Sequence, residues 1–439
     1  MKFRALTYLA MLIVTTFSNL AYADDATLEH LSFSDANTLF SSNNRELLLA
    51  KRMLESAQTG AVIAAQKPNP VLSLGISNLN INRGQGNANP NGSNSLADKT
   101  LSSSVQINQL FERGDKREIR MASAENGIKA SSYDLKDTRR QQTLTLAYAY
   151  YDLVLSQETE KIQTSNVALY ESTLKAAELR LKAGDISASD VARIRVDALR
   201  VKNDLRQANA NRQKAQANIA YLMGKENEAN KIIAIDSWPS TNQINPSVLN
   251  LAPLNLEAKL NQRADILAAE ARTQQAEENR RFANSLKTRD LNIGVQYQHF
   301  PGQGPGVGEN TVGAYVSIPL FTNYQYQGEV ARSEVDYVTA VEAKAQARAT
   351  AIGEITRSKA DLDAAVDKVQ RFEQQMLGEA QKATDAAEFA YQHGAIGVTD
   401  LLDSRRVLRA LQLESASAHA DYAKAFAAWQ AAINTEENQ

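Results

Sequence analysis

The side chains spaced for chemistry in this 439-residue chain are few, and the clearest pair lies near its far end. Asp400 and Asp403 stand three residues apart at the end of the stretch Tyr391-Gln-His-Gly-Ala-Ile-Gly-Val-Thr-Asp-Leu-Leu-Asp403. On a helix that spacing puts both carboxylates on one face, where together they attract cations. Their chemistry is electrostatic, and a simpler role is also open to Asp400. A carboxylate in the first turn of a helix is favoured by about 0.3–1 kcal/mol through the helix dipole alone. His30, His299, His393 and His419 are scattered, so no metal-ligand spacing exists. With no Gly-rich phosphate loop and no nucleophile elbow, a hydrolase is excluded, and neither cofactor nor enzymatic activity is expected.

The stretch has an echo 210 residues earlier, in Leu181-Lys-Ala-Gly-Asp-Ile-Ser-Ala-Ser-Asp-Val191. Gly184 answers Gly394, Ile186 answers Ile396, Ser189 answers Thr399 and Asp190 answers Asp400. Gln109-Leu110-Phe111 keeps the same offset to Pro319-Leu320-Phe321. One sharp helix-to-helix turn thus occurs twice in an internally duplicated chain. The expected organisation is a first repeat over 24–224, a connector over 225–253, a second repeat over 254–433 and a disordered tail over 434–439.

Charge and address narrow the class. Lys+Arg 48 against Asp+Glu 50 leaves a net charge of -2, with no basic footprint for nucleic acid. Residues 1–23 read as a secretory signal: Lys2 and Arg4, a short apolar run, then Ala21-Tyr22-Ala23, with cleavage expected after Ala23. There is no cysteine, which excludes both disulfides and an acylated N-terminal cysteine. No segment of the exported chain is long and apolar enough for a membrane helix, so entry into a membrane would require a barrel.

The chain is free of proline from 91 to 238 and again after Pro319, which permits very long helices. Helices are expected over 34–66, 113–181 (roughly 100 Å long), 189–223, 254–287, 324–391 and 399–433. The helix after the Gly184 turn shows a heptad-like seam through Val191, Ile194, Ala198, Val201, Leu205, Ala208, Ala215 and Ile219. A second seam runs through Leu401, Leu408, Leu411, Ala418, Tyr422, Ala425 and Trp429.

Two hairpins, over 71–110 and 291–320, supply four strands, with Gly/Asn/Ser/Pro-rich loops at 83–99 and 301–310. Leu291, Ile293, Val295 and Tyr297 alternate with Asn292, Gly294, Gln296 and Gln298. Apolar on one side and polar on the other is the membrane-barrel pattern. Four strands cannot close a barrel, and open edges are not tolerated in lipid, so several chains must contribute. Three chains would supply twelve strands, an even number within the known range. The expected fold is therefore α+β, mostly α, with internally duplicated long α-hairpins and four strands per chain, and a trimer that closes a 12-stranded barrel.

At this point the residues resemble the TolC-like outer-membrane efflux duct family, across essentially the whole chain after the signal. Pro68-Asn-Pro-Val-Leu-Ser-Leu74 looks like the first-strand lead-in of its CzcC-type, cobalt–zinc–cadmium branch. Asn108-Gln-Leu-Phe-Glu-Arg-Gly-Asp-Lys-Arg117 is similar to that branch's second-strand exit, with Arg113 and Asp115 in place of small residues. The resemblance implies a homotrimeric duct, its 12-stranded β-barrel in the outer membrane continued by a periplasmic α-helical tunnel, that meets a periplasmic adaptor protein and an inner-membrane RND-type pump and exports divalent heavy metals. It puts the turns at Gly184, Ile186, Gly394 and Ile396 at the inner end, in adaptor contact. It makes Asp400 and Asp403 acidic rings at the aperture, and Asp190 and Tyr391 residues that hold the entrance shut. The arginine some relatives use in that latch corresponds to Ile396, with Arg193 or Arg405 as substitutes. Drug or polypeptide export through the same kind of duct is the alternative, and a structural coiled-coil envelope protein is a third.

Overall fold

A computed structural model describes residues 28–77, 102–241, 253–300 and 309–433. The expected signal and its cleavage site, most of both hairpin loops, part of the connector and the tail lie outside the described residues. The described chain divides into two compact units, each drawing on both sequence repeats.

One unit spans Met53–Tyr133 and Leu267–Ala347 and holds a single antiparallel sheet in the order β1-β2-β3-β4. Its strands are β1 (Val71–Ser77), β2 (Ser102–Phe111), β3 (Leu291–His299) and β4 (Asn310–Ser317). Register decides what the alternation is worth, because a one-residue slip would move a whole stripe to the other face. Here Leu74 pairs with Val105, Val105 with Tyr297, and Tyr297 with Val312. Likewise Leu72, Ile107, Val295 and Ala314 form one row. The four apolar stripes therefore share one face, and most of their large side chains are exposed there.

The opposite face carries uncharged polar groups, with Ser73, Gln106, Gln296 and Gly313 in one row. Gly294 is needed on that face, since a Cβ there would lie 2.4 Å from the Tyr315 ring. The Tyr315 hydroxyl crosses Gly294 to donate to the Asn108 side chain. β1 and β4 are the outer strands, and neither outer edge pairs with another described strand.

The Glu112–Arg117 run turns β2 into helix α3 (Lys116–Lys182). Gly114 and Asp115 take positive φ, 75° and 55°. Glu112 accepts from both Arg120 nitrogens at 2.6 and 2.9 Å. The nearly buried Lys116 donates to Thr288 O and to Asp290, and Arg117 Nε donates to Ala65 O. Glu112, Lys116 and Arg117 thus hold this junction together, while Arg113 and Asp115 are exposed.

The other unit takes the described residues of Met1–Arg52, Asp134–Ile266 and Arg348–Gln439. It contains α4 (Ala188–Met223), α8 (Leu377–Gln392), α9 (Val398–Ala432) and parts of longer helices, and its core is in three clusters. The first gathers Phe40, Leu146, Tyr150, Ile219 and Met223; the second gathers Ile266, Leu362, Val369, Tyr422 and Trp429. Ile219 and Trp429 stand 210 positions apart, so the duplication extends to core packing.

Three helices expected to be continuous are interrupted. The first divides at Asn44 into α1 (Phe33–Asn43) and α2 (Arg45–Ala64). Its counterpart divides at Arg263 into α5 (Pro253–Gln262) and α6 (Ala264–Ser285). The breaks are equivalent. Asn44 accepts from Leu47 N and donates to Leu222 O, while Arg263 donates to Ala432 O at 2.9 Å. Both buried side chains trade helix continuity for a hold on the end of a distant helix. The third expected helix is α7 (Gln327–Arg371) followed by a π-helical turn, Phe372–Met376, before α8.

Arg263 is fully buried and pairs with both Asp265 and Glu354 at 2.7 Å. Burial, the largest single influence, pushes the Asp265 carboxyl up, but the Arg263 hydrogen bond and charge, with Arg140 and the Ile266 amide, together leave the group below its ordinary value. A carboxylate depressed in the folded state stabilises above its unfolded pKa and loses that contribution as the pH falls through its folded value. Arg263→Ala is expected to destabilise by about 3–5 kcal/mol, because Asp265 is left without its cation. Urea unfolding of the detergent-extracted protein measures this, and a loss below about 1 kcal/mol would contradict it.

Candidate functional site at the paired glycine turns

The two turns share one backbone solution. α3 ends at Lys182, Gly184 takes φ 82°, and Asp185 N–H donates back to Arg180 O at 2.9 Å. α8 ends at Gln392, Gly394 takes φ 74°, and Ala395 N–H donates to Ala390 O at 2.8 Å. This is the glycine C-cap in which the next amide satisfies an orphan carbonyl. A Cβ at either glycine would meet nothing within 4 Å, so only the positive φ requires glycine.

The helices that follow start differently. Ser187 caps α4, accepting from Asp190 N at 3.2 Å and donating to the Asp190 carboxylate at 2.8 Å. Asp190 is thereby engaged in a local cap. Gly397 caps α9 and offers no side chain, so Asp400 has no such partner. Asp400 is exposed and makes no ion pair with any described residue, which distinguishes two carboxylates that the sequence offset equates.

Both turn regions meet in the third core cluster. Tyr170, Val191, Ile194 and Val201 from the first repeat pack with Val398 and Leu402 from the second. Ile186 and Tyr391 are half-buried against it, and the Arg180 guanidinium lies over the Tyr391 ring at 5.3 Å. Tyr391 is thus a packing aromatic here. Ile396 is half-buried in its turn.

Above this core α9 is tied to α3 and α4 by arginines. Arg406 donates to Asp197 at 2.6 Å and to Asp403 at 2.7 Å, and the Asp197 side chain is only 8% exposed. The Asp197 hydrogen bond holds the Arg406 guanidinium above its ordinary pKa. Arg409 pairs with Asp204 one heptad further along. Arg405 binds Glu388 and the Thr173 hydroxyl, and Arg193 donates to the Thr399 hydroxyl at 3.2 Å. Asp403 is therefore half of an ion pair, with Asp400 left beside it.

Sequence reasoning named Arg193 and Arg405 and missed Arg406 and Asp197. The available signal was charge at coiled-coil spacing: Asp197 and Asp204 seven apart on α4, facing a cluster of arginines on α9. No group of side chains suited to holding a metal ion occurs among the described residues.

The described residues thus hold long paired helices, twin glycine turns on a shared core, and a sheet with one exposed apolar face. Residues 39–225 and 255–435 match the outer membrane efflux protein family, and the chain belongs to it: it is an outer-membrane efflux channel subunit, not an enzyme. It is 26% identical over 381 residues to the pyoverdine export outer membrane protein OpmQ of Pseudomonas aeruginosa, covering 84% of this chain and 78% of that one. It is 22% identical over 380 residues to the cobalt-zinc-cadmium resistance protein CzcC of Cupriavidus metallidurans, covering 86% and 84%. The solved structure of the outer membrane protein VceC from Vibrio cholerae superposes with a TM-score of 0.73 at 19% identity, covering 91% of this chain and 95% of that one.

Proposed function

We infer that the chain is one third of a homotrimeric duct, its sheet contributing four of twelve strands to a barrel in the outer membrane and its helices forming a periplasmic tunnel. The observation that carries this is the sheet. It exposes an apolar face and leaves both outer edges without a partner among the described strands, which lipid does not tolerate in a lone chain. The duct acts with a periplasmic adaptor, which meets the turns at Gly184, Ile186, Gly394 and Ile396, and with an inner-membrane RND-type pump that drives transport.

Asp400 and Asp403 form the acidic aperture, and Arg406 with Asp197 keeps α9 against α4 there. Asp190 and Tyr391 support the entrance through capping and packing. The Arg406 link takes the part left vacant by Ile396, and releasing it lets the entrance widen.

Divalent heavy metals such as cobalt, zinc or cadmium are the proposed cargo, supported by the likeness to CzcC and by acids at the aperture. The Glu112–Arg117 run lends this no weight, since its side chains hold a strand–helix junction. The higher identity to OpmQ favours a second reading, export of a small organic molecule. A strain lacking the protein should lose tolerance to cobalt, zinc or cadmium more than to hydrophobic drugs. The opposite ranking would overturn the metal reading in favour of the organic one.

A further inference from the structure

In the helical unit the connector between the repeats is held by a column of rings. Phe33 of α1 stacks on Tyr151 of α3 at 6.3 Å, and Tyr151 stacks on Trp238 of the connector at 6.3 Å. Trp238 in turn stacks on His419 of α9 at 6.0 Å, with the two planes 17° apart. Backbone and side-chain bonds fasten the connector on either side of this column. Ile233 N–H donates to Leu28 O and Ile235 N–H to Leu31 O. Gln157 of α3 brackets Ala234, accepting from its N–H and donating to its carbonyl, each at 2.9 Å. The Tyr422 hydroxyl of α9 donates to Ser240 O at 3.1 Å. Tyr422 follows His419 by three residues, so one face of α9 makes both contacts.

Of the rings in this column only the imidazole changes charge near neutral pH. The His419 side chain is 18% exposed, and its Nε2 lies 3.5 Å from Glu373 Oε1. Glu373 stands on the π-helical turn Phe372–Met376, a kind of turn frequent at functional sites. Glu158 of α3 is the other acid that acts on the ring, and the connector faces it with the uncharged indole. Burial outweighs both acids and holds the imidazole below its ordinary value. The neutral ring is therefore the form that fits the column. By linkage, a histidine held this way stabilises its arrangement above the ordinary value, and that contribution is lost as the pH falls through it.

We propose that His419 is a proton-sensitive catch for the connector. Neutral, it stacks on Trp238 and keeps residues 232–240 on α3 and α9; protonated, it leaves the column for water and the connector loosens. The connector joins the repeats covalently and here also touches a helix of each, so acid weakens the tie between them at this level. The inference stands on the helical unit alone, so it neither needs the barrel nor fails with it.

Hydrogen exchange of the full-length protein in detergent reads the catch directly, compared at about pH 7.5 and about pH 5 after correction for the intrinsic pH dependence of exchange. The lower value stays above the ordinary carboxylate range, so the acids keep their charge. The amides of Ile233, Ala234 and Ile235 should lose about tenfold in protection at the lower pH. His419→Gln, with His419→Phe as a second choice should the first fail to assemble, should show no such loss. Glu373→Gln should enlarge it, because an acid that offsets the imidazolium is gone. Unchanged protection of these amides in the original protein would overturn the catch. Increased protection at the lower pH would overturn it too, since an imidazolium drawn to Glu373 and the indole face would tighten the column. The same loss in the His419 variants would overturn His419 as the group that takes the proton, and an equal or smaller loss in Glu373→Gln would overturn the part given to Glu373.

Discussion

Arg406→Gln should give a channel that conducts more and admits larger hydrophilic solutes than the original. Asp197 is almost fully buried and its ion-pair partner is Arg406. Removing one partner of such a pair leaves an uncompensated charge, at a cost of about 3–5 kcal/mol to the arrangement that buries it. An arrangement in which Asp197 reaches water pays no such penalty, so the tied form should lose its population advantage by a hundredfold or more, about 1.4 kcal/mol per factor of ten. Asp197→Asn combined with Arg406→Gln leaves no buried charge unpaired, Asp403 being exposed, and should recover part of the original behaviour, a coupling that a double-mutant cycle reads directly. Single-channel conductance of the assembled protein in planar bilayers is the measurement. Unchanged conductance in a correctly assembled Arg406→Gln variant would show that the link does not control the entrance.

The second large effect is expected from the aperture acids. Asp400→Asn with Asp403→Asn should keep the fold, since neither residue belongs to the core clusters. Cation preference should fall by about tenfold, the lower end of what a cleft lined with one sign of charge provides. The loss should be greatest at low salt, where screening is weakest. Trivalent cations should block the original channel from the periplasmic side and the variant far less. Asp400→Asn alone should account for most of the change, because Asp403 already shares Arg406 and Asp400 makes no ion pair with any described residue. Unchanged selectivity and block would leave Asp400 as a first-turn carboxylate favoured by the helix dipole and nothing more.

Much of this architecture was legible in the sequence because it depends on period. β3, Leu291–His299, follows from strict alternation, and the strand rows then align as the alternation requires. The glycine turns followed from the duplication, since a helix that reverses sharply needs a residue free to take positive φ. What escaped was set by single side chains acting over distance. Asn44 and Arg263 break helices whose composition favours continuity, satisfying carbonyls 178 and 169 residues away in sequence. Nothing in a local window carries that information. At the second glycine turn the spacing of Asp400 and Asp403 was visible, but Arg406 pairs with both Asp403 and Asp197, and Asp197 comes from the other repeat. In the Glu112–Arg117 run, Glu112 meets Arg120, Lys116 meets Asp290 and a backbone carbonyl, and Arg117 meets a backbone carbonyl, contacts that no local window shows.

Whether the chain works as a threefold duct is decided most directly by its mass in the membrane-extracted state. Native mass measurement after mild detergent extraction should give three copies per particle, because the unpaired edges of β1 and β4 can be satisfied only by other chains. Particles of a single copy, extracted from membranes that contain the protein in its folded form, would contradict the closed barrel and with it the duct.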